Sequence, residues 1–336
     1  MPLTVAVTGP TGEIGRALLD ALDREPEVGE VRGMARRPFD PAAEGLSKVV
    51  YRRGDVLDRG SLAALLDGAD VAVHLAFSIF GGREQTHRVN LEGSRNVFEA
   101  VATAGVGRLV YTSSVAAYGF GDGRPSLIGE ETPATGSAEF YYSAQKAELE
   151  RALDEVLGGA DLDAYVFRPC IVAGPRATML IRQTVNAARL GDPVPALRRG
   201  VGRLPLPSPV LPDPGVPFQL VHHDDVATAL GAAVLGAGEP GAYNLAGEGQ
   251  VRVRDVAAAI GWRSVPVPGP AVAASAEVAK RFSFLAPQLE WATALRTPVL
   301  MDTAKARREL GWTPAFDATE TLAQTAASAR TQGLLD

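Results

Sequence analysis

The chain has 336 residues, 46% of them hydrophobic and 21% charged, with a formal net charge of -6. That balance is typical of a globular protein with a substantial core, and with no basic block it argues against nucleic acid or an acidic membrane surface as the main partner. One cysteine, Cys170, excludes an internal disulfide, and four histidines without accompanying cysteines give no zinc spacing, so a reduced protein without metal is expected.

The first predicted element is the apolar, β-branched run Leu3 to Val7, followed by Ile14, Leu18, Leu19 and Leu22 at helical spacing. Between them Gly9, Gly12 and Gly15 mark a tight strand-to-helix turn. Such a turn aims backbone N–H groups at an approaching anion, where the helix N-terminus adds partial positive charge. A phosphate cradle is one reading of these glycines, and close helix-strand packing is the other.

Further strands are predicted at Val31 to Ala35, Lys48 to Tyr51, Val71 to Leu75, Arg108 to Thr112 and Ala164 to Phe167. Helical patterns alternate with them, around Arg16 to Asp23, Ser61 to Leu66, Val89 to Ala104 and Ala138 to Leu157. This is the rhythm of an α/β fold with a doubly wound parallel sheet, in which ligands bind beyond the carboxyl ends of the strands. After Arg168 the pattern loosens. The proline-rich stretch Leu204 to Pro217 reads as a structured loop or lid, and Phe218 to Val221, Asp224 to about Leu235 and Tyr243 to Leu245 read as returns to the main sheet. The longest apolar stretch, Val71 to Phe80, is far too short to cross a bilayer, which takes about 20 residues. No basic, apolar leader precedes the first strand, so a cytoplasmic protein is expected.

Tyr142 and Lys146 stand four apart in a helical segment and share a face. An ammonium there is expected to lower the phenol's pKa from about 10 toward a value useful for proton exchange. Upstream, Leu109 to Thr112 is an apolar strand ending in Ser113-Ser114, at the edge where a substrate oxygen would be bound.

With the glycine turn, the strand-end serines and the Tyr-x-x-x-Lys pair in that order, the sequence resembles the extended short-chain dehydrogenase/reductase family, which includes nucleotide-sugar epimerases and related reductases. The resemblance runs over nearly the whole chain. It implies a Rossmann-type dinucleotide-binding core at 1–168, with 169–336 mainly a substrate-binding lobe and segments near 218–246 returning to the core. It further implies a catalytic set of Ser114, with Ser113 as the alternative, Tyr142 and Lys146. Gly9, Thr11, Gly12, Glu13, Ile14 and Gly15 would hold the cofactor phosphates, Asp55 and Val56 would flank the adenine, and Leu75, Ala76, Asn90, Lys146 and Pro169 would line the rest. Asn90 is open to a second reading as the holder of a helix-strand junction, and His74 as a core histidine satisfied by its neighbours. Asp225 is expected to cap the helix that follows it.

An acidic residue usually ends the second strand in NAD-preferring relatives, but here Ala35 is followed by Arg36 and Arg37. Arginine pairs with a 2'-phosphate, so NADP(H) is expected over NAD(H), with Arg36 the first contact and Arg37 the alternative. Val115 and Ala116 stand where family dehydratases carry an acidic pair, which disfavours dehydration. Reduction of a ketone and epimerisation of a nucleotide sugar both remain, NADP favouring the first. A redox sensor without catalysis is the minority alternative, because such relatives lose the Tyr-Lys pair. Arg176, Arg182, Arg189, Arg198, Arg199 and Arg203 read as a solvated face or as a diphosphate clamp, and Phe77, Phe80 and Met179 as walls of an apolar pocket. A small-molecule substrate is expected, and a homodimer packed through the helices at 89–104 and 138–157 fits the family pattern.

Overall fold

The structure, a computed structural model, describes residues 1–79, 83–121, 125–190, 210–267 and 298–335. They form two compact units. The first comprises Met1–Cys170, His223–Ala246 and Met301–Ala315, and the second Ile171–His222, Gly247–Leu300 and Phe316–Asp336.

The first unit is built on seven strands: β1 (Leu3–Thr8), β2 (Val28–Ala35), β3 (Val49–Arg53), β4 (Val71–His74), β5 (Arg108–Thr112), β6 (Asp163–Pro169) and β10 (Gly241–Leu245). They pair in the order β10-β6-β5-β4-β1-β2-β3, every neighbour parallel. The order reverses at β1, which creates the crevice at the strands' carboxyl ends that open α/β sheets use for ligands. Strands buried on both faces read as continuous apolar runs, and Val5, Val7, Val31 and Val110 are fully buried. Helix α1 (Glu13–Arg24) turns Leu18, Leu19 and Leu22 inward, none more than 1% exposed. Each such leucine contributes about 1.5–3 kcal/mol by leaving water. Helix α7 (His223–Val234) packs against α1 and buries Val226, Leu230 and Val234.

Several local differences from the sequence expectation have physical causes. Helix α5 (Tyr141–Leu157) starts three residues later than its apolar pattern, because Ser137 is bound elsewhere: its hydroxyl donates to the Phe120 carbonyl and accepts from the Phe120 N–H. Helix α2 (Arg59–Leu66) starts two residues earlier, since Asp58 caps it through the Gly60 and Ser61 N–H groups. The predicted helix at 89–104 is a π-helical turn Arg88–Glu92 followed by α4 (Gly93–Ala104), and a short helix α3 (Arg83–His87), which was not expected, precedes them. Asp225 does not cap α7. The helix begins two residues before it, and its carboxylate instead accepts the Ala315 N–H at 2.7 Å while its carbonyl accepts the Trp312 indole at 2.8 Å.

The second unit pairs β7 (Ile171–Ala173) with β9 (Leu220–His222), and β8 (Val210–Asp213) with β11 (Arg263–Pro266), both parallel. Its helices α6 (Met179–Leu190), α8 (Val253–Ala259) and α10 (Ala318–Thr331) share a core of Ile181, Val185, Leu220, Val256, Leu322 and Ala326. The last helix has a capping box in which Asp317 and Glu320 each accept the other's N–H. The expectation of a loop across 204–217 is corrected in part, since Val210–Asp213 is a strand that includes Pro212. A two-stranded ribbon has only edge strands, where a residue without an N–H costs no ladder bond. Residues 204–209 lie outside the described residues, as do Phe80, Arg198, Arg199 and Arg203. The expected return of 218–221 to the main sheet does not occur: Phe218 is joined to Val251 by an isolated bridge, and Leu220 and Val221 lie in β9, which pairs with β7 in the second unit. Among the described residues no helix is long and apolar enough to cross a membrane.

Candidate active site

The glycine turn lies between β1 and α1, at the sheet's carboxyl end. Gly9 has φ +76, and a Cβ there would lie 2.7 Å from the Ala76 nitrogen, so only glycine lets the turn touch the segment leaving β4. At Gly15 a Cβ would meet the Gly9 carbonyl oxygen at 2.4 Å, which makes this glycine the contact point between helix and turn. Gly12 differs. It is the N-cap residue of α1 with no side-chain cap, and a Cβ there would come no nearer than 3.4 Å to another atom. The first N–H groups of α1 therefore have no cap from the side chain of the N-cap residue, and with the glycine turn they supply the donor set and helix polarity that fit a dinucleotide pyrophosphate. Thr11, Glu13 and Ile14 are half-buried beside them.

Arg36 and Arg37 are exposed just beyond β2, and their segment is braced through its carbonyls. Arg53 Nε donates to the Arg36 carbonyl at 2.9 Å, and the Tyr51 hydroxyl bonds the Ala35 carbonyl at 2.8 Å and the Arg37 carbonyl. Asp55 accepts the Leu57 N–H, and Val56 is buried against Gly93, where a Cβ would meet its Cγ2 at 2.5 Å. Leu75 and Ala76 leave β4 half-buried, with the Leu75 N–H on the Thr8 carbonyl at 3.1 Å. Pro169 ends β6 opposite Leu245 of β10.

Two residues with alternative readings have their polar atoms bonded within the protein. Asn90, in the π-helical turn, accepts the Ser78 N–H and donates to the Ser78 carbonyl and to Gln145 Oε1, all within 3.0 Å. It ties the segment after β4 to α5. His74 is 1% exposed, with Nδ1 on the Thr8 hydroxyl at 2.7 Å, Nε2 on the Ser94 hydroxyl at 2.9 Å and its ring stacked on Tyr111. Burial first, and the nearby Lys146 second, push its pKa from 6.5 down to about 3. Between those values the unfolded chain binds a proton that the native ring refuses, so stability falls as pH drops through that window. The expected loss attributable to His74 is on the order of a few kcal/mol. Urea unfolding of wild type and His74→Gln across pH 3 to 7.5 checks it: their stability difference should narrow as pH falls.

The carboxyl end of β5 meets α5 through consecutive contacts. The Ser114 hydroxyl hydrogen-bonds the Tyr142 phenol and also accepts the Ala116 N–H at 3.1 Å. Lys146 Nζ donates to the Thr112 carbonyl at 3.0 Å, and Ser113 donates to a Glu150 carboxylate oxygen at 2.5 Å. Tyr142 is half-buried, with the Phe77 ring edge-on at 5.6 Å and the Phe140 ring at 5.9 Å. The Lys146 ammonium lies 3.9 Å from the centre of the Phe77 ring.

The expected lowering of the phenol's pKa does not occur. Burial raises Tyr142 to about 12 against a smaller opposing effect of Ser114, while burial lowers Lys146 to about 7 against the opposing charge of Glu150. Desolvation of the phenol outweighs its hydrogen bond with Ser114, so it keeps its proton, while the Lys146 ammonium meets the Thr112 carbonyl and the Phe77 ring. Glu150 and Arg168 had no part in the sequence-derived site. The repeated four-residue step Tyr142, Lys146, Glu150 is the signal that points to the first of them.

This sheet order, with a glycine turn after β1 and a Ser-Tyr-Lys set beyond β5, defines a dinucleotide-binding α/β enzyme fold. Among solved structures, the chain matches that of gox2253 with a TM-score of 0.75 at 24% identity over 100% of both chains. It also matches a double mutant of dTDP-glucose 4,6-dehydratase from Streptomyces venezuelae with NAD bound (TM-score 0.70, 21% identity, 98% of each chain). UDP-glucuronic acid 4-epimerase from Bacillus cereus in complex with NAD gives 0.71 at 17% identity, over 98% of this chain and 99% of that one. The model of the NAD dependent epimerase/dehydratase family matches residues 5–246, and the chain belongs to that family of oxidoreductase and epimerase enzymes. An uncharacterised Sinorhizobium fredii protein is 26% identical over 96% of this chain and 77% of its own length. A longer uncharacterised protein of Mycobacterium tuberculosis is 26% identical over 95% of this chain, which spans 29% of it. Human 3 beta-hydroxysteroid dehydrogenase type 7 is 34% identical, with the match covering 51% of each chain.

Proposed function

We propose that the protein is an NADPH-dependent reductase acting reversibly on a ketone or secondary alcohol of a small molecule. The observation that carries this reading is the Ser114–Tyr142 hydrogen bond with Lys146 one turn along α5, at the carboxyl end of the sheet. A bound nicotinamide cofactor supplies the hydride to the carbonyl carbon. Tyr142 gives its proton to the carbonyl oxygen, and a phenol held protonated at neutral pH suits that direction. Ser114 donates to the oxygen as negative charge develops on it, and Lys146 stabilises the phenolate that remains. In the reverse direction the phenolate removes the alcohol's proton. The rings of Phe77 and Phe140 beside Tyr142 exclude water from the transfer and favour an apolar carbonyl compound.

The choice of NADP(H) rests on Arg36 and Arg37, exposed beyond β2 where an acid would accept ribose hydroxyls, with no carboxylate paired to either among the described residues. Arg36→Asp is expected to weaken NADPH more than NADH and so to move the ratio of their dissociation constants toward NADH by about tenfold, the equivalent of 1.4 kcal/mol. Fluorescence titration of both cofactors reads it, and an unchanged ratio in both Arg36→Asp and Arg37→Asp would remove NADP preference from the reading. A second reading, an epimerase that retains NAD, is favoured by the NAD in the dehydratase and epimerase structures. Nucleotide released by denaturing freshly purified protein separates the two: retained NAD supports the epimerase, an empty site that prefers NADPH the reductase.

A further inference from the structure

Behind the reacting residues the first unit contains a buried polar network that the proposed reaction does not use directly. Glu150 is 7% exposed and lies one helical turn beyond Lys146 on the inward face of α5. Arg168 of β6 grips it with two hydrogen bonds, Nε to Oε1 at 3.1 Å and Nη2 to Oε2 at 2.6 Å, and the Ser113 hydroxyl adds a third. Arg168 is fixed in turn by the Tyr118 hydroxyl at 2.9 Å and the Glu130 carbonyl at 3.3 Å. Tyr118 donates to Asn244 Oδ1 at 2.7 Å on β10, and the Asn244 N–H meets the Glu130 carboxylate at 2.8 Å.

Two charges in the interior are expensive to desolvate, and hydrophobic residues of the same shape often serve stability as well or better. Stability alone therefore does not account for the pair, and its position does. Thr112, Ser113 and Ser114 are consecutive, and they bond Lys146, Glu150 and Tyr142 in that order. A shift of α5 along β5 that broke the Glu150 contacts would displace the other two.

We propose that Glu150 is a positioning residue for the reaction: clamped by Arg168 and Ser113, it fixes both the place and the charge of Lys146. The inference rests on the reductase reading only for the consequence in turnover, because the effect on Lys146 exists without substrate. The groups facing Lys146 are Tyr142 and Glu150 from α5, Tyr111 from β5, His74 from β4 and the Phe77 ring, with Arg168 reaching it through Glu150. Among them Glu150 is the carboxylate, and its charge opposes the burial that drives the lysine toward the neutral amine.

The test is direct, because the sequence has four lysines: Lys48, Lys146, Lys280 and Lys305. The full-length protein labelled with [6-13C]lysine gives few enough NMR signals to follow Lys146 through a pH titration, with and without NADPH, the line being assigned by its loss in Lys146→Arg. In Glu150→Gln the Lys146 titration should move to lower pH. A displacement by one unit would leave about a tenth of the lysine charged at neutral pH and reduce kcat there roughly fivefold, with recovery as pH falls. Glu150→Asp keeps the charge and the pairing with Arg168 but withdraws the carboxylate by one methylene, so its titration should fall between those of wild type and Glu150→Gln. If Glu150→Gln does not fold, Glu150→Asp alone decides. A Lys146 titration unmoved in whichever variants fold would overturn the proposal. Absence of turnover with every ketone, alongside a displaced titration, would count against the reductase reading and leave the role of Glu150 standing.

Discussion

Tyr142→Phe is expected to lower kcat by about 10²–10⁴-fold, the range that a positioned proton donor supplies. The phenyl ring keeps the edge-on contact with Phe77 at 5.6 Å and the contact with Phe140, so packing is preserved while the phenol's proton and its hydrogen bond with Ser114 are lost. NADPH affinity should change little, because Lys146 and the glycine turn remain. Stopped-flow measurement of hydride transfer beside a binding titration separates the two effects. Turnover within a factor of two of wild type would transfer the role of acid to another group. The pH profile adds a second check: with the phenol at about 12 and the lysine at about 7, the reduction rate of wild type should decline above neutrality as Lys146 loses its charge, well below the pH at which the phenol ionises.

Gly15→Ala is the substitution expected to damage the cofactor site most through the backbone. The added methyl would lie 2.4 Å from the Gly9 carbonyl oxygen and 2.8 Å from backbone atoms of Pro10, none of which is a flexible side-chain end. Relief requires α1 to move away from the turn, at a cost of about 1–3 kcal/mol for overpacking. NADPH binding should weaken by at least about tenfold, since the N–H groups at the start of α1 move with the helix. Gly12→Ala is the informative companion. Its methyl has room within the protein, so the melting temperature should hardly change, yet it projects at the uncapped helix end. Weak NADPH binding with normal stability in Gly12→Ala would mark that end as the pyrophosphate seat, and unchanged binding would move the seat elsewhere.

Much of the first unit was legible because its signals are local. The run from Leu3 to Leu22 announces strand, turn and helix within one window, and the alternation that follows fixes a parallel sheet before any contact is known. The order of Ser114, Tyr142 and Lys146 was equally plain, and the structure brings the first two into hydrogen-bond contact. What escaped depended on partners distant in sequence. Glu150 is an unremarked acid on a helix until Arg168 arrives from β6. The phenol's proton affinity followed burial, which spacing does not reveal, and so the expected direction was reversed. Pro212 was a sound loop signal overruled by a ribbon that has only edges, and the π-helical turn at Asn90 leaves no mark in an apolar pattern read at a single period.

The strand at the β10 edge has a consequence for how the chain is made. Gly241–Leu245 completes the sheet beside Asp163–Pro169, yet the ribosome delivers it only after the whole stretch from Ile171 to His222 has emerged. Met301–Ala315, which brings Trp312 to Asp225, arrives later still. Until then β6 presents an unpaired, apolar margin to the cell, and Asn244 is not yet in place to receive Tyr118. Nascent chains halted before Gly241 should therefore associate with one another or recruit chaperones, whereas those released after Ala315 should not, a difference that ribosome-release experiments at defined lengths would display.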